Sequence, residues 1–170
     1  RSLSSAASDV YKRQLWIALN DLADVWSLEE VTQNLSEFAE KAVNLSWRAS
    51  FSKELRKGKF PKDYDVDPDR VGFFILAMGK LGACELNYSS DIDLICFFDE
   101  EVFRPEEFQI VRRIFINATK NMYRLLNENG KDGYVFRTDL RLRPDPSVTP
   151  VCMGVDAAER YYASLGRTWE

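Results

Sequence analysis

The sequence predicts an α+β fold, in which a short mixed sheet packs against helices and follows a helical segment. Apolar residues recur at three- and four-residue steps before residue 58. Short apolar or alternating runs typical of strands come later, and a long amphipathic pattern separates two of them. The 170 residues are 45% hydrophobic and 13% aromatic, enough to bury a core in one domain with an appendage.

The first residues, 1–14, differ from the rest of the chain in composition. They are rich in serine and alanine, begin with Arg1 and lack the apolar core of a signal peptide. We therefore predict that 1–14 is a non-native leader. Because the chain stops at Glu170 inside a predicted helix, we expect a fragment that is truncated at its C-terminus.

Residues 15–60 are predicted to be a helical segment. Ser27 precedes two glutamates and is typical of an N-cap, while Gly58 indicates the end of the helix. The polar, proline-containing stretch 61–70 predicts a linker to a domain that spans 71–170. Two apolar series support the helices: Leu15, Leu19, Leu22 and Trp26, then Leu35, Phe38, Ala42 and Leu45.

Three strands are predicted in the second domain. The continuous apolar run 71–77 is typical of a central strand covered on both faces, and 91–98 follows as the second strand. The segment 133–144, which reads GYVFRTDLRLRP, is predicted as the third, ending at Pro144.

Two helices accompany these strands. Residues 105–129 begin with a proline and two glutamates, and Gly130 is a plausible residue just after the helix. After the loop 145–150, a further helix is expected over 156–165. The predicted buried stripe of the first helix is Phe108, Val111, Phe115, Ala118, Met122 and Leu125.

The composition excludes several classes of function. The chain has no histidine, which removes Ser-His-Asp and Cys-His catalysis and most transition-metal sites. Cys84, Cys96 and Cys152 are far apart, which predicts reduced thiols in a cytoplasmic protein. The net charge of -4 argues against a nucleic-acid partner, and no apolar run is long enough to predict a membrane partner.

Two aspartates stand where a buried strand begins. In an extended strand Asp91 and Asp93 project from the same face, and their carboxylates repel each other unless they share a proton or a cation. A hard divalent cation such as Mg2+ accepts such oxygen ligands. Taken alone, the pair is more typical of a strand end whose aspartates meet solvent or cap nearby backbone.

The third predicted strand supplies another carboxylate. Arg137, Asp139, Arg141 and Arg143 would share one face, so Asp139 could join the first two aspartates in a site for one or two Mg2+ ions. The arginines would then bind phosphate oxygens. The alternative is a solvated face with internal ion pairs.

The turn GKLG lies between the first two strands. Gly79 and Gly82 allow the backbone to approach a phosphate, with Lys80 between them, although a plain strand-to-helix turn explains them too. Ser89 and Ser90 could hydrogen-bond a phosphate or cap the strand.

Three motifs together resemble the glutamine synthetase adenylyltransferase family. They are MGKLGACELNYSSDIDLICFFD, YVFRTDLRLRPD and RYYASLGRTWE, and the resemblance extends over 15–170. It implies a polymerase-β-like nucleotidyltransferase fold in which Asp91, Asp93 and Asp139 are the catalytic, Mg2+-binding residues. Nucleotide or phosphate binding is implied for the residues of the turn and the strands: Gly79, Lys80, Gly82, Ser89, Ser90, Arg141 and Arg143.

The family carries two such domains, and this chain resembles the N-terminal, adenylyl-removing one. That activity uses inorganic phosphate to release ADP from adenylylated glutamine synthetase, so the implied partners are glutamine synthetase, the PII signalling protein, nucleotide and phosphate. One departure is Ala83-Cys84, where the family commonly has a glycine after GKLG. The alternatives are the adenylyl-transferring half, another nucleotidyltransferase such as a uridylyltransferase, and an inactive fragment that only binds glutamine synthetase.

Overall fold

The computed structural model describes residues 3–129 and 133–166. Its elements are α1 (Leu3–Leu22), α2 (Leu28–Leu55), β1 (Phe73–Met78), α3 (Gly79–Gly82), β2 (Ile92–Phe98), α4 (Phe108–Asn127), β3 (Thr138–Asp139), β4 (Cys152–Gly154) and α5 (Val155–Ser164). The predicted α+β class, with a short mixed sheet and packed helices, is confirmed. No helix in these two ranges is long and apolar enough to cross a membrane.

The N-terminal segment forms two helices, as predicted. The side chain of Ser27 accepts a hydrogen bond from the Glu30 N–H (3.2 Å), and Glu30 Oε2 accepts one from the Ser27 N–H (2.8 Å). This capping box confirms Ser27 as the N-cap of α2. Helix α1 runs without a break through residue 14, and the non-native origin of 1–14 stays a prediction.

The sheet is organised around β2, which pairs antiparallel with β1 and parallel with both β3 and β4. The prediction that the first strand is central and covered on both faces is therefore wrong. On β1, Phe74 is 41% and Leu76 45% exposed. A continuous apolar run does not distinguish a central strand from an edge strand whose outer face is uncovered, because hydrophobicity carries no information about pairing.

The third predicted strand is much shorter than 133–144. Only Thr138 and Asp139 pair with β2, and β4, which the sequence did not predict, continues along the same edge. The chain leaves the sheet after Asp139 because the side chain of Arg143 holds a loop closed: it donates to the carbonyls of Leu140, Pro146 and Thr149. The alternating pattern therefore did not predict strand length.

Helix α4 begins at Phe108, after a turn that contains the predicted start, and ends at Asn127. Four residues of its predicted stripe are buried: Val111, Phe115, Ala118 and Met122. Phe108 is half-buried, and Leu126 rather than Leu125 is buried. The predicted Gly130 position lies outside the described residues. Helix α5 matches the last prediction within one residue at each end.

The core lies between α2, α4 and the inner face of the sheet. Phe115 of α4 is fully buried at its centre. The centroid of its ring lies 5.4–6.4 Å from the centroids of six others: Trp47, Phe51, Phe60, Phe73, Phe98 and Phe103. This aromatic cluster fixes the C-terminal end of β2 through Phe98 and the start of β1 through Phe73.

Candidate active site

The loop that leads into β2 is seated on α2 by a buried serine. Ser36 Oγ accepts a hydrogen bond from the Leu86 N–H (3.1 Å) and donates one to the Thr32 carbonyl (2.8 Å). Leu86 itself is buried in the core. Because both polar atoms are satisfied, this contact holds the loop close to the helix without an energetic penalty for buried polar groups.

Asp93 and Asp139 are direct neighbours across the parallel strands β2 and β3. The side chain of Asp93 makes no hydrogen bond or ion pair with any residue in 3–129 or 133–166. Burial, followed by the negative charges of Asp139 and Asp91, raises the pKa of Asp93 above its ordinary value. The structure thus brings the three predicted carboxylates to one end of β2.

Arginines hold the other two carboxylates. Arg137 Nε lies 2.6 Å from Asp91 Oδ1, and Arg141 binds both carboxylate oxygens of Asp139, with its Nη2 2.6 Å from Oδ2. These hydrogen bonds from Arg141 lower the pKa of Asp139. Asp139 therefore forms an ion pair with an arginine, whereas Asp93 forms none with a described residue.

The two glycines of the GKLG turn have different structural roles. Gly79 has a φ of +56°, and a Cβ at that position would lie 3.3 Å from Asp93 Oδ2. At Gly82, a Cβ would lie 2.3 Å from the carbonyl oxygen of Ala77, so no side chain fits there. Gly79 borders the carboxylates, while Gly82 allows α3 to fold tightly onto the end of β1.

Lys80 and the serines are arranged around the same loop. Lys80 Nζ donates to Ser90 Oγ at 3.4 Å, and Ser90 Oγ donates to Asn87 Oδ1 at 2.5 Å. Ser89 contributes its backbone carbonyl, which accepts a hydrogen bond from Arg137 (2.7 Å). Lys80 and Ser90 are thus adjacent side chains before Asp91, and their role in phosphate binding stays a prediction.

The carboxylate end also borders a cavity of about 490 Å³ between α4 and β3, which we call the α4 cavity. Two α4 residues that the sequence did not single out, Lys120 and Tyr123, line it opposite Asp91 and Asp139. Arg141 lines it as well. Both α4 positions lie beside the buried stripe, and a sequence pattern does not show which exposed helical residues face a strand 15 residues further on.

The donor set fits a hard divalent cation. All three carboxylates offer oxygen ligands, and Mg2+ would offset the repulsion of Asp93 by Asp139 and Asp91. In the part of the chain that the structure describes, no three acidic, cysteine or histidine side chains converge closely enough to hold a metal ion as they stand. A cation would therefore replace the arginine contacts of Asp91 and Asp139.

The chain is similar in sequence to one family of known proteins. The family model for glutamate-ammonia ligase adenylyltransferase matches residues 10–170. The bifunctional glutamine synthetase adenylyltransferase/adenylyl-removing enzyme of Bradyrhizobium sp. (strain BTAi1) is 48% identical over 157 residues. Those of Rhodopseudomonas palustris (strain HaA2) and Caulobacter vibrioides are each 42% identical, over 163 and 157 residues. Each match covers 92% of this chain but only 16% of the relative's length.

Proposed function

This chain belongs to the glutamate-ammonia ligase adenylyltransferase family, and from that premise we propose that its carboxylate end removes AMP from adenylylated glutamine synthetase by phosphorolysis. The observation that carries the proposal is the meeting of Asp91, Asp93 and Asp139 at one end of β2. The relatives' printed names include both adenylyl transfer and adenylyl removal.

The removing activity is favoured by the motifs around this site. The sequences ELNYSSDID and YYASLGRTWE resemble the N-terminal copy of the family's two domains. The helical segment before the sheet also suits that half. The proposed substrates are adenylylated glutamine synthetase and inorganic phosphate.

The reaction exchanges one phosphorus–oxygen bond for another. An oxygen of inorganic phosphate bonds to the phosphorus of the adenylyl group, and the bond from that phosphorus to the tyrosine oxygen breaks. The electron pair of the broken bond stays on the tyrosine oxygen, which takes the proton that the attacking phosphate loses. The products are ADP and an unmodified tyrosine.

The chain's own residues would act by positioning and by neutralising charge. Arg141, whose side chain is 82% exposed, lies at the mouth of the site and can bind an incoming phosphate in place of Asp139. Lys80 lies beside Ser90, the residue before Asp91, and would bind a second phosphoryl group there. Bringing two anions together is the main barrier to such a reaction, so fixed cations lower it most.

Asp91, Asp93 and Asp139 would hold Mg2+, which stabilises the charge that develops on the transferring phosphoryl group. Arg137 keeps Asp91 oriented through its ion pair and is anchored in turn on the Ser89 carbonyl. We therefore assign Arg137 a positioning role. No histidine is required, because proton transfer is between the two substrates.

The decisive experiment incubates the chain with adenylylated glutamine synthetase, Mg2+ and phosphate and measures ADP release. Asp93→Asn removes one proposed ligand at constant size and should abolish the release. Asp24→Asn is the matched control, because Asp24 is exposed and its positive φ of 52° is one that asparagine tolerates.

Phosphate-dependent ADP that disappears in Asp93→Asn but persists in Asp24→Asn is the expected result. A folded chain that releases no ADP but transfers AMP from ATP to unmodified glutamine synthetase would assign it to the other half. Uridylyl transfer would indicate a different nucleotidyltransferase. A folded chain that binds glutamine synthetase without any turnover would contradict catalysis by this chain.

A further inference from the structure

The α4 cavity is bounded on one side by the proposed catalytic carboxylates and on the other by α4. Its volume of about 490 Å³ falls within the roughly 300–1,000 Å³ typical of small-molecule sites. Buried Leu140 and half-buried Val151 form part of its apolar wall. Apolar walls with a few polar groups are the usual composition of a site for an organic ligand.

The charges that line this cavity favour an anion. Among the described residues that line it, three are cationic (Lys120, Arg141 and Arg143) and two are anionic (Asp91 and Asp139), which leaves one positive charge in excess at the wall. Asp93, the neighbour of Asp139 on β2, does not line the cavity. Both carboxylates are already paired with arginine, and Arg143 is bound to loop carbonyls. Lys120 makes no hydrogen bond or ion pair with any residue in the described ranges, so its ammonium group is available to a ligand.

An exposed aromatic ring lies beside this lysine. Tyr123 is 41% exposed, and its hydroxyl makes no hydrogen bond to any residue of 3–129 or 133–166. Lys120 and Tyr123 are three positions apart on α4, so they project side by side from one face of the helix. A cation and a flat aromatic surface at this spacing match the phosphate and the base of one mononucleotide.

We propose that the α4 cavity is the subsite for the adenylyl group, in which Tyr123 stacks on the base and Lys120 binds a phosphate oxygen. This inference rests on the proposed function for the identity of the nucleotide. The reacting phosphorus would then lie between Lys120 and the carboxylates, with Arg141 at the mouth for the second phosphate.

The test measures nucleotide affinity by NMR chemical-shift titration of the full chain with AMP, adenosine and inorganic phosphate, each alone. Tyr123→Leu should weaken AMP and adenosine about tenfold, because the loss of base–aromatic stacking affects both. Tyr123→Phe keeps the ring and should bind AMP as the unaltered chain does. Lys120→Met should weaken AMP about tenfold and leave adenosine unchanged, because adenosine has no phosphate.

Two variants serve as matched controls. Arg113→Met removes an exposed cation from the same helix two turns away, outside the cavity. Tyr134→Leu removes an exposed tyrosine that lines a different cavity, next to Ser89 and Arg137. Both should bind AMP normally, and circular dichroism with urea unfolding establishes that every variant is folded.

Three results would overturn the inference: a folded chain that does not bind AMP, equal AMP affinities for all variants, or a loss of affinity in Tyr134→Leu instead of Tyr123→Leu. ADP release is a separate readout. If AMP affinity responds as expected but no ADP is released, phosphorolysis fails and the subsite stands. If ADP is released while Tyr123→Leu and Lys120→Met keep full AMP affinity, the subsite fails and phosphorolysis stands.

Discussion

The two ends of β2 affect stability in opposite ways: apolar packing at one end favours folding, and repulsion between carboxylates at the other opposes it. At its C-terminal end, Phe98 is fully buried opposite Phe73 and packs against Phe115. At its N-terminal end, Asp93 lies beside Asp139 and makes no hydrogen bond or ion pair with any described residue, although the charge of Arg141 attracts it. Seven residues of one strand thus join the aromatic core to a carboxylate whose nearest charged neighbours include two other carboxylates.

This difference shows how a small domain can hold an unfavourable arrangement of charges. Apolar packing favours folding wherever it occurs, whereas neighbouring carboxylates disfavour it until a cation or a proton arrives. The aromatic cluster and the Ser36–Leu86 contact fix the strand and the loop before it, so the carboxylates cannot move apart freely. The stabilising apolar packing is therefore concentrated at one end of β2, and the proposed catalytic carboxylates lie at the other.

The largest expected effect comes from emptying the centre of the aromatic cluster. Phe115→Ala should lower the free energy of unfolding by about 3–5 kcal/mol, because it leaves a cavity among six aromatic rings. Phe74→Ala, on the exposed face of β1, should cost less than about 1 kcal/mol. Urea unfolding measures both, and similar losses for the two variants would contradict the central place given to Phe115.

Mg2+ should stabilise the other end of β2. At a concentration 100 times its Kd, a cation bound only to the folded chain adds about 2.7 kcal/mol to the free energy of unfolding. Asp93→Asn should lose most of this gain, and the Asp24→Asn control should retain it. Thermal unfolding with and without Mg2+ is the measurement, and an equal gain in all three proteins would place the cation elsewhere.

Without Mg2+, the same Asp93→Asn substitution should stabilise the fold by about 0.5 kcal/mol at neutral pH. The reason is that asparagine removes the repulsion from Asp139 and Asp91. The effect is small because the side chain is partly in contact with water, which screens the repulsion. Urea unfolding in the presence of a chelator measures the difference. A loss of stability in the variant would show that the Asp93 carboxylate makes a favourable contact instead.

The pH dependence of that difference has a definite sign. The pKa of Asp93 is raised in the folded state, so folding favours the protonated side chain. The stability that the protonated side chain contributes is lost as pH rises through this raised pKa. The advantage of Asp93→Asn should therefore be greatest at neutral pH and vanish below the ordinary value of 3.8. Unfolding curves of both proteins between pH 3 and pH 7 test it, and a gap that widens toward acid would contradict the sign.

One further small effect is expected in the loop between α3 and β2. Cys84 has a φ of +59°, in the left-handed region that favours glycine. Cys84→Gly should relieve this backbone strain and stabilise the chain by about 0.5 kcal/mol, after the greater flexibility of glycine in the unfolded state is subtracted. Cys84→Ala, which keeps the Cβ, is the control and should show no gain in urea unfolding.

Local patterns predicted much of the fold. Ser27 and Glu30 form their capping box within one turn, so four residues are sufficient to identify it. The buried face of α4 follows from the spacing of apolar residues along one helix. Asp91 and Asp93 could be chosen as candidates because two carboxylates at the start of an apolar strand are unusual, and Asp139 because it adds a third carboxylate on another predicted strand.

Pairing and side-chain direction could not be predicted in the same way. Hydrophobicity did not show that β1 lies at an edge or that the third strand stops at Asp139. Arg143 alternates correctly with Arg141 in the sequence, yet its guanidinium group closes the loop that follows. These outcomes depend on which distant groups satisfy each backbone and side-chain hydrogen bond, and residue spacing contains no such information.

The sequence by itself determined the α+β class, the helical segment, the family resemblance and the candidate carboxylates, because periodicity and motif spacing are properties of neighbouring residues. Only the tertiary structure decided that Arg137 and Arg141 form ion pairs with two of the carboxylates while Asp93 forms none with a described residue, and that Lys120 and Tyr123 line one cavity with Asp91 and Asp139. Distances between residues far apart in the chain are set by packing of the whole core, so charge compensation is a property of the fold.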